Sequence, residues 1–153
     1  MLDLKDFSIK LSKELPKIKE KFDFSFLNTA GGFMQNRVFQ KGESTTGQIG
    51  QYSETSKKIR EAKGLQTAYV DLEFSGELRK SIKTGQSKGE TVYGIEEITY
   101  IDGQTTVEVA NKNRERFGQN ILEVSDEEIN EAFDGAIQAV SKDIDRAIEK
   151  ALG

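Results

Sequence analysis

The chain has 153 residues, of which 35% are apolar and 31% charged, and it contains neither cysteine nor histidine. These absences exclude disulfides, Cys/His zinc sites, thiol nucleophiles and imidazole acid–base catalysis. The length predicts a single domain, residues 1–153, and no window approaches the ~20 apolar residues of a membrane span. Because residues 1–10 also lack a signal-peptide core, we expect a soluble protein made in the cytoplasm.

The charge is unevenly distributed along the chain. Residues 1–90 carry 16 Lys and Arg against 12 Asp and Glu, a balance of +4. Residues 91–153 carry 6 against 14, a balance of −8. Opposite signs at the two ends suit head-to-tail contact between copies, although solvated helix faces give the same pattern. The net charge of −4 gives no support to sequence-independent DNA binding as the main role.

Apolar residues recur at helical spacing near the N-terminus, at Leu4, Phe7, Leu11, Leu15, Ile18 and Phe22. This pattern predicts an amphipathic helix with Asp3 as its N-cap. Pro16 lacks a backbone donor and crowds the preceding turn, so we expect a kink or a break there. A second, shorter helix is predicted over residues 28–42, ending at Gly42.

Residues 43–64 are predicted to form a long irregular loop, with scope for one helical turn at 54–62. The reason is that only Ile49, Tyr52 and Ile59 in this stretch are large and apolar. A loop of this length inside a compact domain is usually functional or disordered. We expect it to be mobile in the free protein and ordered in an assembly.

Strand signals accumulate after this loop. The predicted strands and turns are a strand at 67–74, a turn at 87–89, strands at 91–93, 95–101 and 105–110, and a hairpin turn at Asp102-Gly103. We therefore predict an α+β fold whose sheet is an antiparallel meander of three to four strands.

The clearest periodic pattern lies at the C-terminus. Ser125 and Glu128 form a capping-box signature that opens a predicted helix over 125–151. Its apolar stripe comprises Ile129, Phe133, Ala136, Ile137, Val140, Ile144, Ala147, Ile148 and Ala151. We expect this helix to pack across one face of the sheet, with Val140 and Ile144 in the core.

Two groups of carboxylates are candidates for catalysis: Asp71, Glu73 and Glu77 form one, and Glu96, Glu97 and Glu108 form the other. A two-metal nuclease needs carboxylates that converge from separate elements in a dry cleft, and a glycosidase needs a substrate cleft, usually aromatic. The chain has no tryptophan and only 8% aromatic residues. Exposed positions on a sheet explain both groups better, and we expect neither a cofactor nor a metal.

The loop also contains a basic cluster, formed by Lys57, Lys58, Arg60 and Lys63 beside Tyr52. Such a cluster contacts nucleic acid or an acidic protein partner, although a solvated loop gives the same composition. A cytoplasmic nucleic-acid-binding or regulatory module that uses residues 57–63 is therefore one hypothesis for the function. Downstream, Phe74, Leu78 and Ile82 would form one apolar stripe if FSGELRKSI is helical.

The order of motifs in residues 49–82 resembles the central signature of the phage virion-morphogenesis family, the small tail-completion and neck proteins of tailed bacteriophages. The matching residues are Gly50, Tyr52 and Ser53, then Lys57, Lys58, Arg60, Lys63 and Gly64, then Val70, Asp71 and Leu72, then Ser75, Gly76, Leu78, Arg79, Ser81 and Ile82. A later segment, Asn113 through Phe117, is similar too, but lacks the proline of the Arg-Pro-Phe-Leu form common in relatives.

The resemblance implies a structural virion protein and not an enzyme. It implies a homo-oligomeric ring at the head–tail junction or the head-proximal tail end, in contact with other neck, portal-connector or tail proteins. No membrane and no specific nucleic acid is expected as a partner. The candidate docking residues are Tyr52, Lys57, Lys58, Arg60, Lys63, Asp71, Leu72, Ser75, Gly76, Leu78, Arg79, Ser81 and Ile82.

Overall fold

The computed structural model describes residues 3–153. Its elements are α1 (Leu4–Gln35), continued by a π-helical turn (Asn36–Gln40), β1 (Glu43–Ser44), β2 (Gly47–Gln48), α2 (Glu54–Ala62), α3 (Glu77–Ser81), β3 (Ile82–Ser87), β4 (Glu90–Ile95), α4 (Thr106–Phe117) and α5 (Asp126–Leu152). The fold mixes helix and sheet, as predicted. However, its strands form two separate antiparallel pairs, β1–β2 and β3–β4, and not a meander of three to four strands.

The two predicted N-terminal helices are one continuous helix. Asp3 caps it as expected, because its side chain accepts hydrogen bonds from backbone N–H groups of the first turn. Pro16 lies within α1 without ending it. The packing of the helix before and after this residue outweighs the one hydrogen bond that the proline removes. Gly31 is also internal, and a Cβ there would lie 2.1 Å from the Tyr93 ring. This glycine therefore lets β4 lie close against α1.

The helices α1 and α5 form a long antiparallel pair. Three ion pairs are spaced along them: Glu14–Lys150 (2.6 Å), Lys21–Asp143 (2.5 Å) and, from the π-helical turn, Arg37–Glu128 (2.7 Å). The side of α5 that faces α1 is buried and made of small residues, namely Ala132, Ala136, Val140, Ala147 and Ala151. Small side chains let two helices approach closely, so α5 packs on α1 and not, as predicted, across a sheet.

The predicted start of α5 is confirmed in detail. Ser125 Oγ accepts a hydrogen bond from the Glu128 backbone N–H, and the Glu128 carboxylate accepts one from the Ser125 N–H. Val140 is a core residue, as predicted, with 2% of its surface exposed. The prediction for Ile144 is wrong: it is 37% exposed, because the alanines occupy the side of α5 that faces α1.

The middle of the chain departs most from the sequence-based prediction. Residues 67–74 form no strand, because Leu72 has a left-handed φ of 55° that interrupts an extended chain. The predicted strand at 105–110 is the start of α4, which a second capping box between Thr105 and Glu108 opens. The turn at 102–103 is present, but only one isolated bridge flanks it.

The β3–β4 hairpin closes at the turn predicted for residues 87–89. Lys88 and Gly89 both have positive φ, 51° and 80°, as a two-residue hairpin turn of the primed type requires. The loop predicted at 43–64 is also largely structured, because it contains β1, β2 and the nine-residue helix α2. Ser53 caps α2 by accepting a hydrogen bond from the Ser56 N–H.

The core lies where the end of α1 meets the middle of the chain. It is formed by Met34, Val38, Phe39, Leu78, Ile82 and Ala110. Because Leu78 and Ile82 belong to the FSGELRKSI segment, this core holds that segment against the rigid end of α1. Within residues 3–153 no helix is long and apolar enough to cross a membrane.

Replacing Val140 with alanine should lower the free energy of unfolding by about 1–3 kcal/mol, because the methyl groups are removed from a buried contact with α1. Ile101→Ala is the matched control, since Ile101 is fully exposed, and it should change stability by less than about 0.5 kcal/mol. Urea denaturation measures both variants. Equal effects would contradict the burial of Val140 between α5 and α1.

Candidate functional site

A buried ion pair joins two segments of the candidate motif. Arg60 projects from α2, and Asp71 lies in the irregular segment that precedes α3. The Arg60 Nη2 atom is 3.0 Å from Asp71 Oδ1 and 3.3 Å from Oδ2. The two side chains are only 4% and 6% exposed. This pair therefore fixes the irregular segment against α2.

Both charges of the pair are further hydrogen-bonded. The Tyr52 hydroxyl donates to Asp71 Oδ1 at 2.8 Å, and Gln66 Nε2 donates to Oδ2 at 2.6 Å. Arg60 donates from Nε to the Gln66 carbonyl and from Nη1 to the Glu73 carbonyl, each at 2.7 Å. Its guanidinium also lies 4.3 Å from the centre of the Tyr52 ring. Such full satisfaction offsets the desolvation of both charges.

This environment raises the pKa of Tyr52 above its ordinary value. Burial, together with the neighbouring Asp71 carboxylate, raises the pKa of Tyr52 to about 12. The phenol therefore remains protonated at neutral pH and acts as a hydrogen-bond donor to Asp71. Tyr52, Arg60 and Asp71 were each candidate docking residues, and the structure brings all three together in one buried network.

Next to this network lies an open groove of about 650 Å³. One wall is the segment 72–79, and the other is formed by residues 99–104 with Val109 of α4. The groove is mainly apolar, since Phe74 is 52% exposed and Ile101 is fully exposed. Such a surface suits an apolar side chain of a partner.

The groove also has an unsatisfied polar atom in its wall. Glu73 Oε2 is buried and has no hydrogen-bond partner among the described residues. A buried unpaired acceptor is costly, and a donor supplied by a bound partner would satisfy it. The groove can therefore take an apolar group together with an adjacent N–H or cationic group.

The remaining motif residues divide between the groove and the core. Leu72, Ser75, Gly76, Leu78 and Arg79 line the groove. Ser81 and Ile82 are buried beneath it, and the Ser81 hydroxyl donates to the Leu78 carbonyl at 2.7 Å. Gly76 is the N-cap of α3, and its φ of 82° reverses the chain into this helix. The stripe expected from Phe74 to Ile82 is split, because Phe74 is exposed.

The basic cluster does not form one patch. Arg60 is buried in the network, so its assignment to an exposed docking surface is wrong. Lys57 makes an ion pair with Glu54 at 3.2 Å, Lys58 is exposed, and Lys63 lies 5.1 Å from the Phe74 ring centre. Lys63 therefore extends the groove wall, and Lys58 is a surface cation with no ion-pair partner among residues 3–153.

The carboxylates that are candidates for catalysis do not converge on one site. Asp71 is neutralised by Arg60, Glu96 pairs with Lys83 at 2.5 Å, and Glu108 caps α4. Across residues 3–153 no three carboxylates come together as a metal site. Sequence reasoning missed Gln66 and placed Asp71 and Glu73 at exposed positions of a sheet, whereas Asp71 and the Glu73 Oε2 atom are buried. A role set by contacts across an irregular segment leaves no periodic signal.

Arg60→Met should lower the free energy of unfolding by about 3–5 kcal/mol, because it leaves the Asp71 charge buried without its partner. Lys58→Met is the matched control two residues away and should change stability by less than about 0.5 kcal/mol. Chemical denaturation of the two variants tests this difference. A tolerant Arg60 would mean that the network is not a structural anchor.

The Tyr52 phenol should make stability fall at alkaline pH. Because its pKa is raised to about 12 in the folded state, its contribution is complete below the ordinary pKa of 10. That contribution is then lost between pH 10 and 12. Tyr52→Phe should therefore show a smaller loss of unfolding free energy over this interval. Urea titrations at stepped pH measure it, and identical slopes would contradict the assignment.

Comparison with protein-family models, with curated proteins and with solved structures gave no significant match. The resemblance to the virion-morphogenesis family therefore rests on the motif residues alone.

Proposed function

We propose that this protein is a structural component of a tailed-phage virion, a neck or tail-completion protein that forms a ring at the head–tail junction or the head-proximal tail end. The observation that carries the proposal is the groove whose wall is the motif segment 72–79. The residues that support the resemblance thus surround a surface suited to docking, and none of them is arranged for chemistry. No substrate turnover is proposed.

The buried network supports this role because it makes the groove a preformed surface. Arg60 binds the carbonyl of Glu73 and the carboxylate of Asp71, so the groove wall is held from behind. A partner that docks on a rigid surface does not pay for ordering it. Exposed apolar anchors such as Phe74 and Ile101 are the kind of residue that contributes most to association.

A ring also requires two different patches on each subunit, since its contacts are heterologous. The basic N-terminal part and the acidic C-terminal part of the chain offer such a pair by charge. Burial of Arg60 weakens the alternative of a nucleic-acid-binding module, because it removes one of four cations from the loop. Lys58 is exposed to an acidic neighbour, while Lys57 pairs with Glu54 and Lys63 lies beside Phe74 at the groove.

Substitution of both groove anchors, Phe74→Asp with Ile101→Asp, should abolish ring assembly while the fold is kept. Both side chains are exposed, so their loss should leave the circular dichroism spectrum unchanged. Val92→Asp, on the exposed side of the β3–β4 hairpin, is the control and should still assemble. Electron micrographs and sedimentation of the purified proteins provide the readout, and wild-type rings should weaken as salt rises.

Neutralising the partly exposed Lys57 and the exposed Lys58, as Lys57→Gln with Lys58→Gln, separates docking from folding, since Arg60 is left in place. Purified wild-type protein that gives no ring, or rings that form equally in the groove variant, would contradict the proposal. Steep salt-dependent retention on DNA would instead favour the nucleic-acid-binding module.

A further inference from the structure

One side of the α1–α5 pair is apolar and uncovered along most of its length. Six large residues of α5 are 37% to 55% exposed: Ile129, Phe133, Ile137, Ile144, Ile148 and Leu152. Their spacings of 4, 4, 7, 4 and 4 place them on one side of the helix. On α1, Leu4 and Leu15 are 73% and 47% exposed. Phe22 and Phe26 continue this line and contact Phe133.

The opposite side of the pair is polar. Glu14–Lys150 and Lys21–Asp143 connect the two helices there. On both helices an ion-paired residue directly precedes an apolar one, as in Lys21-Phe22 and Asp143-Ile144. Because neighbouring residues of an α-helix are about 100° apart, the ion pairs and the apolar residues lie on different sides. The exposed stripe is therefore a distinct face, which we call the apolar face.

The area of this face matches one half of a stable interface. At about 200 Å² per large side chain, the exposed fractions of the six α5 residues correspond to roughly 500 Å². Leu4 and Leu15 raise the total to roughly 750 Å² by the same measure. A monomer rarely exposes an apolar patch above ~600 Å². A standard interface takes ~800 Å² from each partner, of which about 65% is apolar in homodimers.

The charges that border the face are complementary to each other. Lys19 follows Leu15 by one turn on the outer side of α1. Its side chain is 76% exposed, and its ammonium group pairs with Asp23 of the same helix. Asp145 follows Ile144 on the outer side of α5 and is exposed. Lys21 is level with Asp143 within the chain, so Lys19 is level with Asp145 in the same antiparallel register. A twofold axis parallel to the helices would bring Lys19 of one copy beside Asp145 of the other.

We propose that a second copy of this chain covers the apolar face, giving a twofold symmetric dimer whose centre is a four-helix bundle. In it, α1 of each copy packs antiparallel to α5 of the other, as the two helices already do within one chain. The contact is isologous, so it is separate from the heterologous contacts of the proposed ring. It does not depend on the protein being a virion component.

Sedimentation velocity and light scattering at micromolar concentration test the dimer. Wild-type protein should have twice the 17.1 kDa mass of one chain, or an even multiple if rings also form. Ile137→Glu with Ile144→Glu should halve the measured mass and raise the dimer dissociation constant by more than about 100-fold. Ile101→Glu, in the groove, is the control and should leave the dimer intact.

Charge reversal tests the same contact without touching an apolar residue. Lys19→Glu with Asp23→Lys keeps an ion pair within α1 and should weaken the dimer. Adding Asp145→Lys should restore the dimer, because the contact between the copies is then only inverted. A wild-type monomer at these concentrations, or a mass that neither set of variants reduces, would overturn the proposal. A ring whose mass is unchanged in the Ile137/Ile144 double variant would overturn the dimer and leave the proposed function standing.

Discussion

The buried pair between Arg60 and Asp71 is the interaction on which the middle of this protein depends. The segment 65–76 has neither helix nor strand, so its backbone groups lack the regular partners of secondary structure. Arg60 supplies donors to two of its carbonyls, and Asp71 accepts from the backbone N–H of Glu73 at 3.0 Å. The two charged side chains thus fix the path of this segment, as strand pairing would in a sheet. The high cost of burying either alone makes the arrangement all-or-none.

The α1–α5 pair has the opposite character. The side of α5 that faces α1 is made of alanines and one valine, and ion pairs at the edge of the pair provide specificity. Contacts of small residues give close approach but little buried apolar area per residue. The larger side chains of α5 are consequently left at the side of the pair. The middle of the protein is therefore held together by buried polar contacts, whereas the two long helices are held together by the close approach of their backbones.

Sequence patterns identified the parts of this fold that are determined locally. The α5 helix, its capping box at Ser125 and the turn at Lys88-Gly89 follow from short-range chemistry, and each is present in the structure. The start of α4 has the same capping signature at Thr105 and Glu108. There, however, the alternating pattern of residues 105–110 favoured a strand. Local capping was the stronger determinant, and periodicity over six residues was too short to exclude a helix.

Long-range contacts explain the remaining differences. Residues 67–74 have strand-like composition, but the contacts of Asp71 and the left-handed turn at Leu72 impose another path. The motif of Tyr52, Arg60 and Asp71 was visible as a set of candidate residues. The burial of this motif could not be predicted, because an arginine in an exposed loop and a buried arginine look the same in the sequence. Exposure depends on what the rest of the chain brings alongside.

The π-helical turn at Asn36–Gln40 determines how these two halves are oriented. A π turn contains one residue more than an α turn, so it shifts the phase of the residues that follow it by about 100°. The single N-terminal helix can thereby present one side to α5 along most of its length. It then turns Val38 and Phe39, adjacent in sequence, into the core beneath the groove. This one extra residue therefore sets the rotation of the α1–α5 pair relative to the part of the protein that contains the groove. A change in the length of this turn would rotate the apolar face and the groove relative to each other without altering either of them.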